Sequence, residues 1–202
     1  MHALGQVIGF TYAGRLTPES LEAALNGLLP PDIAIREVRR TRPGFQPRRA
    51  ARYREYRYTV WNGPRSPLRE RLAFGVRNPL DIVAMERAGQ VLVGRHDFSA
   101  FGAAAGNRSP IRTVHAIRVR RQGSTVTIDV RADAFLRGMV RRMVAVLIEA
   151  GRGNMNENDI QAALAARTPA RNGAAAPARG LCLRHVALGR RREAETLTDG
   201  DD

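Results

Sequence analysis

Lysine is absent from this chain of 202 residues, and every basic side chain other than its four histidines is an arginine. Cysteine occurs once, at Cys182, so no internal disulfide can form, and the composition fits a reducing compartment. No apolar stretch approaches the ~20 residues of a membrane span, and no charged and apolar leader follows Met1. A cytoplasmic location without membrane attachment is therefore expected. His2, His96, His115 and His185 are scattered and share no ligand spacing with Cys182, which argues against a metal enzyme. Also missing are a Walker-type phosphate loop, a G-x-S-x-G elbow and a Rossmann glycine fingerprint, so nucleotide-dependent and serine-hydrolase chemistries lose their support.

What the chain has in excess is positive charge. Its 33 basic residues face 19 acidic ones, a formal net charge of +14, which implies attraction to a polyanion by long-range steering and phosphate neutralisation. Nucleic acid is the natural partner. Guanidinium offers a planar fork that matches phosphate oxygens and stacks on bases. Genomic base composition also accounts for arginine replacing lysine, since Ala and Gly are abundant too, but it does not account for the excess of positive over negative charge. A hydrophobic content of 44% is enough for the core of one large domain or two small ones.

Along the chain, Val7 to Tyr12 reads as a strand. Thr17 and Pro18 then offer an N-cap and a first-turn proline for a helix whose Leu21, Ala24, Leu25, Leu28 and Leu29 share one face. Pro30-Pro31 stops that helix, and Ile33 to Val38 follows as a short strand. Thr41 to Arg54, rich in Arg and Pro, reads as an exposed basic connector. Beyond it Tyr56, Tyr58 and Val60 alternate with Arg57, Thr59 and Trp61, which puts both tyrosines on one face of a strand. Asp81 can cap a helix carrying Ile82, Met85, Ala88 and Leu92. Val114 to Arg120 and Thr125 to Val130 flank a hairpin turn at Arg121-Gln122-Gly123-Ser124. Paired apolar positions from Phe135 to Ala150 predict one long amphipathic helix, and Asn158 to Leu164 a further one. After an Ala/Arg/Pro-rich loop, Leu181 to Leu188 alternates as a last strand, and residues 190–202 read as a disordered tail. Hairpins and helices interleaved in this way predict an α+β fold, with helices packed on one face of antiparallel sheet.

Several strings, in order, resemble one family. Met1-His2-Ala3-Leu4-Gly5-Gln6-Val7 reads like the end of a Gly-Arg-Thr-Asp-Ala-Gly-Val-His-Ala motif, with Met1 at the Val. Leu29-Pro30-Pro31-Asp32-Ile33, Tyr56-Arg57-Tyr58-Thr59-Val60-Trp61-Asn62 and Pro79-Leu80-Asp81 follow. Gly94-Arg95-His96-Asp97-Phe98-Ser99-Ala100-Phe101, Phe135-Leu136-Arg137-Gly138-Met139-Val140-Arg141 and Pro177-Ala178-Arg179-Gly180-Leu181 complete the series. The whole resembles the tRNA pseudouridine synthases of the TruA type, from His2 to about Val186. Two places depart from the family pattern: Phe45-Gln46-Pro47-Arg48-Arg49 replaces the usual Phe-His-Ala-Arg-Phe, and Cys182 stands for a frequent Tyr.

The resemblance implies two ferredoxin-like halves, the first incomplete: residues 1–43 as the remainder of an N-terminal α+β half, 44–54 as basic connector, and 55–189 as the C-terminal half. It implies isomerisation of uridine to pseudouridine in the anticodon stem-loop of tRNA, without cofactor or metal, by a homodimer. The target base is flipped out of its stack, detached from its sugar, rotated and rejoined through carbon 5. The family's nucleophile is the Asp of the opening motif, which has no counterpart between Met1 and Asp202, so a chain starting at Met1 is expected to be inactive as it stands. A non-catalytic basic RNA-binding module is the alternative.

Residue roles follow from the same match. Tyr56 takes the position that stacks on the target uracil; strand spacing alone would favour an aromatic filling a sheet face, and the Tyr-Arg-Tyr match reverses that preference. Arg141 takes the position of the arginine that pairs with the nucleophile. Periodicity does not choose it over Arg142, and only the Met-Val-Arg string does. His2 and Gln6 would shape the pocket floor, unless they are ordinary loop and strand residues. Arg48, Arg49, Arg52 and Arg54 can track RNA phosphate or form a solvated charge run. If translation begins upstream, the genomic codon at Met1 is expected to be GTG, preceded in frame by Gly-Arg-Thr-Asp-Ala-Gly. Genomic sequencing that finds an in-frame stop directly before it, with no frameshift, would eliminate the upstream start.

Overall fold

The computed structural model describes residues 1–104, 106, 108–168 and 174–189. The expected tail at 190–202 lies outside the described residues. Internal packing divides the chain into two units, Val7–Ala50 and the combination of Met1–Gln6 with Ala51–Asp202.

The smaller unit contains helices α1 (Pro18–Leu28) and α2 (Pro47–Ala50). Thr17 caps α1 as its composition suggests, its hydroxyl accepting from the Ser20 amide at 3.2 Å. The apolar stripe of α1 is only partly covered: Leu21 and Leu25 are half-buried, the helix has no fully buried residue, and Leu28 is 85% exposed. The expected strands at Val7 to Tyr12 and Ile33 to Val38 are not formed. A strand exists only where a neighbour takes up its ladder of hydrogen bonds, and among the described residues the sheet includes neither segment.

The larger unit is built on one sheet. Its strands are β1 (His2–Ala3), β2 (Ala51–Trp61), β3 (Phe74–Gly75), β4 (Gly94–Asp97), β5 (Ile111–Gln122), β6 (Thr125–Ala132) and β7 (Leu181–Leu188). They lie in the order β1-β7-β2-β6-β5-β4, with β3 also pairing β2. The pairings of β2, β4, β5, β6 and β7 with one another are antiparallel, while β1 on β7 and β3 on β2 are parallel. Gly123, at φ +56°, and Ser124 turn β5 into β6, the hairpin expected from Arg121-Gln122-Gly123-Ser124.

Helices α3 (Ile82–Val91), α4 (Met139–Gly151) and α5 (Glu157–Ala166) complete the unit. Asp81 caps α3 through the Ala84 amide, and Asn156 with Asp159 forms a reciprocal capping box on α5. Strand alternation directs Tyr58, Val60, Val126, Ile128, Val130, Ile117 and Val119 into a core shared with Met139, Met143 and Leu147 of α4 and with Met85 of α3. The other face carries charge: Arg57 grips Asp129 with two bonds of 2.7 and 2.8 Å, and Arg131 pairs with Glu55 at 2.9 Å. The fold is thus α+β, with helices over one face of a largely antiparallel sheet. Among the described residues no helix is long and apolar enough to cross a membrane.

One predicted helix is shorter than its periodicity. The apolar pattern begins at Phe135, yet α4 begins at Met139, after Gly138 at φ +78°. Arg137 forms an isolated bridge with Ala103 instead of a helical turn. A left-handed glycine breaks a helix that hydropathy alone would continue.

Core packing predicts the response to truncation. Leu147 is fully buried, and Leu147→Ala is expected to lower unfolding free energy by about 2–5 kcal/mol in denaturant titration. Leu68, 92% exposed, should change it by less than ~0.5 kcal/mol when replaced by Ala.

Candidate active site

β2 runs between β6 and β7, and its inward face presents Arg54, Tyr56, Tyr58 and Val60 in succession. Tyr56 stands opposite Val130 on one side and Leu183 on the other. On the β7 side the register shifts at this point, because Glu55 pairs with His185 and Tyr56 with Leu183, a bulge beside the tyrosine. The ring of Phe135 meets Tyr56 edge to face at 5.2 Å. Released from the helix by Gly138, Phe135 is a neighbour of the candidate site that helical spacing concealed.

Tyr56 is half-buried, and this burial raises its phenol above the ordinary value, against a smaller opposing effect from the charge of Arg54. Near neutral pH it is therefore an uncharged stacking surface and hydrogen-bonding group rather than a phenolate base. Tyr58, about 7 Å further along the same face, is buried; its hydroxyl donates to the Pro177 carbonyl at 2.8 Å. Burial pushes its phenol well above the ordinary value, with Arg141 and Arg179 acting in the opposite direction.

Arg141 lies in the first turn of α4 and is half-buried. Its Nε donates to the Ala176 carbonyl, and its own carbonyl accepts from the Ala176 amide at 3.0 Å. Two successive carbonyls, Ala176 and Pro177, thus hold Arg141 and Tyr58. Helical periodicity left Arg141 and Arg142 equivalent. The two differ in placement, since Arg142 reaches back to the Arg137 carbonyl at 3.4 Å. Among the described residues no carboxylate lies within ion-pair distance of Arg141.

The carboxylates of Asp129, Asp133 and Asp97 are engaged elsewhere. Asp129 projects from the opposite sheet face into the Arg57 fork. Asp133 accepts from the amides of Thr113 and Ala134. Asp97 accepts from the hydroxyl and amide of Ser99, which hold its carboxyl below the usual range. None of these stands free to act as a nucleophile.

β1 brings the start of the chain to the same neighbourhood. His2 pairs with Cys182 and Ala3 with Leu183, so Ala3, Leu183 and Tyr56 stand abreast on three adjacent strands, about 10 Å across at the usual spacing. The His2 ring bonds the Arg71 carbonyl at 2.9 Å, and Gln6 is exposed. The close approach of the 178–180 turn to β2 needs a glycine: a Cβ on Gly180 would stand 2.7 Å from the Tyr58 ring and 2.8 Å from the Thr59 carbonyl oxygen.

The basic run is divided between the two units. Arg48 and Arg49 are exposed on α2 in the smaller unit, while Arg52 and Arg54 belong to β2 in the larger. Arg52 is exposed, but Arg54 is half-buried and donates to the Asp133 carbonyl at 2.6 Å. Among the described residues there is no group of three potential metal ligands.

Comparison with known proteins gives a consistent picture. A family model described as tRNA pseudouridine synthase matches residues 88–187. The chain is 43% identical over 192 residues to tRNA pseudouridine synthase A of Moorella thermoacetica, an alignment covering 92% of this chain and 76% of that protein. It is 40% identical to the protein of the same name from Geobacter sulfurreducens, covering 92% and 77%. A third relative so named, from Methylococcus capsulatus, is 40% identical over 91% of this chain and 68% of its own length.

The two raised phenols predict a pH dependence of stability. A phenol in the unfolded chain ionises near ~10, and both folded groups ionise higher. Their stabilising contribution is complete below the unfolded value and is lost as pH rises through the folded values. The denaturant midpoint should fall between about pH 9.5 and 11.5, and less steeply in Tyr58→Phe. Equal slopes for parent and variant would count against a buried, protonated Tyr58.

Proposed function

The chain belongs to the tRNA pseudouridine synthase family, and on that premise we propose that it serves the isomerisation of uridine to pseudouridine in the anticodon stem-loop of tRNA. The observation that carries this reading is the match over 92% of the chain at 43% identity. No oxidant, reductant or activated group is needed, because the bond from N1 to C1′ breaks, one from C5 to C1′ forms, and the C5 proton is exchanged for one on N1.

In this reading a flipped uracil stacks on Tyr56, whose uncharged ring is braced by Phe135. Arg141, oriented by the Ala176 carbonyl, offers its remaining N–H groups to the nucleophilic carboxylate and favours its ionised form. The parallel register of β1 on β7, continued back from His2 and Cys182, leads towards Ala178 and Pro177, beside Arg141. A carboxylate placed as in the family's Gly-Arg-Thr-Asp-Ala-Gly motif would approach Arg141 from there. His2, on β1, and Gln6, after it, are assigned to the pocket floor by the family resemblance. Arg48, Arg49 and Arg52 supply phosphate contacts, and Arg54 acts more through the Asp133 carbonyl and the field at Tyr56. The enzyme is taken to work in the cytoplasm as a homodimer. A non-catalytic RNA-binding module is the second reading, favoured by the lack of a carboxylate partner for Arg141 among the described residues.

The test compares residues 1–202 with a polypeptide carrying the family motif upstream, by pseudouridine formation on a tRNA transcript and by tRNA binding. The shorter chain should bind weakly and form no product, and the longer should turn over. In the longer chain Tyr56→Ala and Arg141→Ala should each reduce single-turnover rates about a hundredfold or more, with much smaller effects on affinity. Arg141→Ala should also shift residual activity to higher pH, because the carboxylate loses its cationic partner and its pKa rises. Parent-like rates in both variants would remove these residues from the site.

A further inference from the structure

A second site lies where β2 and β3 end. A cavity of about 210 Å³ is walled by Trp61, Arg65, Arg69, Glu70, Arg77 and Arg179. Four guanidinium groups thus face one carboxylate. Only Arg179 is neutralised, by Glu70 at 2.9 Å. Arg69 lies over the Trp61 ring at 5.4 Å, a cation–π contact that does not neutralise its charge. Arg65 and Arg77 have no ion-pair or hydrogen-bond partner among the described residues. Arg179 Nε is buried without a hydrogen-bond partner. Like charges gathered in one concavity, with donors unsatisfied, are the features of a site completed by an anion.

Position selects the kind of anion. Arg179 belongs to the 178–180 turn, immediately after the Ala176 and Pro177 carbonyls that hold Arg141 and Tyr58. The other wall, at Pro67–Arg69, is followed by Arg71, whose carbonyl is bonded by the His2 ring. The cavity therefore shares its framework with the candidate active site. Resting on the tRNA reading above, we propose that this cavity binds a backbone phosphate of the tRNA strand flanking the target uridine, with Arg65, Arg69 and Arg77 as its donors. A single phosphodiester supplies oxygens for the guanidinium forks and the charge that the cavity lacks.

The experiment measures binding of an unmodified tRNA transcript to the full chain at several salt concentrations. Arg65→Gln with Arg77→Gln removes two donors. Gly75→Leu instead fills the cavity, since a Cβ on Gly75 meets nothing within 4 Å, and it leaves all charges in place. Arg87→Gln with Arg152→Gln removes the same net charge from arginines paired with Glu157 and Glu149. Melting curves establish that each variant is folded. The arginine pair in the cavity should reduce the slope of log affinity against log salt by about 1–2 and weaken binding about tenfold. Gly75→Leu should weaken it comparably, and the control pair should have less effect. If the cavity variants match the control pair while the parent binds tRNA, the phosphate site is refuted and the functional reading stands. A parent chain that does not bind tRNA would overturn both.

Discussion

The register of β2 between β6 and β7 is the constraint on which both faces of the larger unit depend. With Tyr56 opposite Val130 and Leu183, Tyr58 and Val60 enter the core while Arg57 and Thr59 face outward. A shift of one residue would exchange these sets, burying guanidinium groups and exposing the tyrosines. Burial of Tyr58, Val60, Val126, Ile128 and Val130 on one face and the Arg57–Asp129 and Arg131–Glu55 pairs on the other hold the same alignment. The apolar side supplies most of the energy, because half-exposed ion pairs contribute only ~0–1 kcal/mol each. Their value is in opposing the slipped arrangement.

From that strand the candidate site is assembled through backbone carbonyls. Tyr58 and Arg141 come from β2 and α4, yet both are directed by the adjacent carbonyls of Pro177 and Ala176. A hydrogen bond of this kind contributes ~0.5–1.5 kcal/mol net, and losing it leaves a buried polar group at greater cost. The segment before β7 is therefore a positioning element. It couples helix, central strand and the Arg179 cavity through a few residues, with Gly180 allowing the close approach to Tyr58.

Charge is distributed in two ways. Several arginines are held in ion pairs or on carbonyls, as at Arg57, Arg131 and Arg54. Arg65 and Arg77 have no such partners among the described residues, although they line a common cavity. The excess of arginine over acid is thus not consumed in structural pairing there, which is the condition for binding a polyanion.

Much was legible in the sequence because it depends on local rules. The Thr17 and Asp81 caps, the Gly123 turn, the alternation of β2, and the α+β class each follow from short-range sterics and hydropathy period, whereas β7 alternates only to Leu183 before its register shifts. The ordered motifs indicated the family, and the roles proposed for Tyr56 and Arg141 rest on that resemblance. Tertiary structure decided what depends on neighbours distant in sequence. Among the described residues it formed no strand at Val7 to Tyr12 or Ile33 to Val38, and it separated Phe135 from α4 and set it against Tyr56. It also distinguished Arg141 from Arg142 through Ala176, and divided the Arg48 to Arg54 run between two units. The physical reason is the same in each case. Propensity and period are properties of consecutive residues, whereas a ladder, a ring contact or a carbonyl partner exists only after remote segments have met.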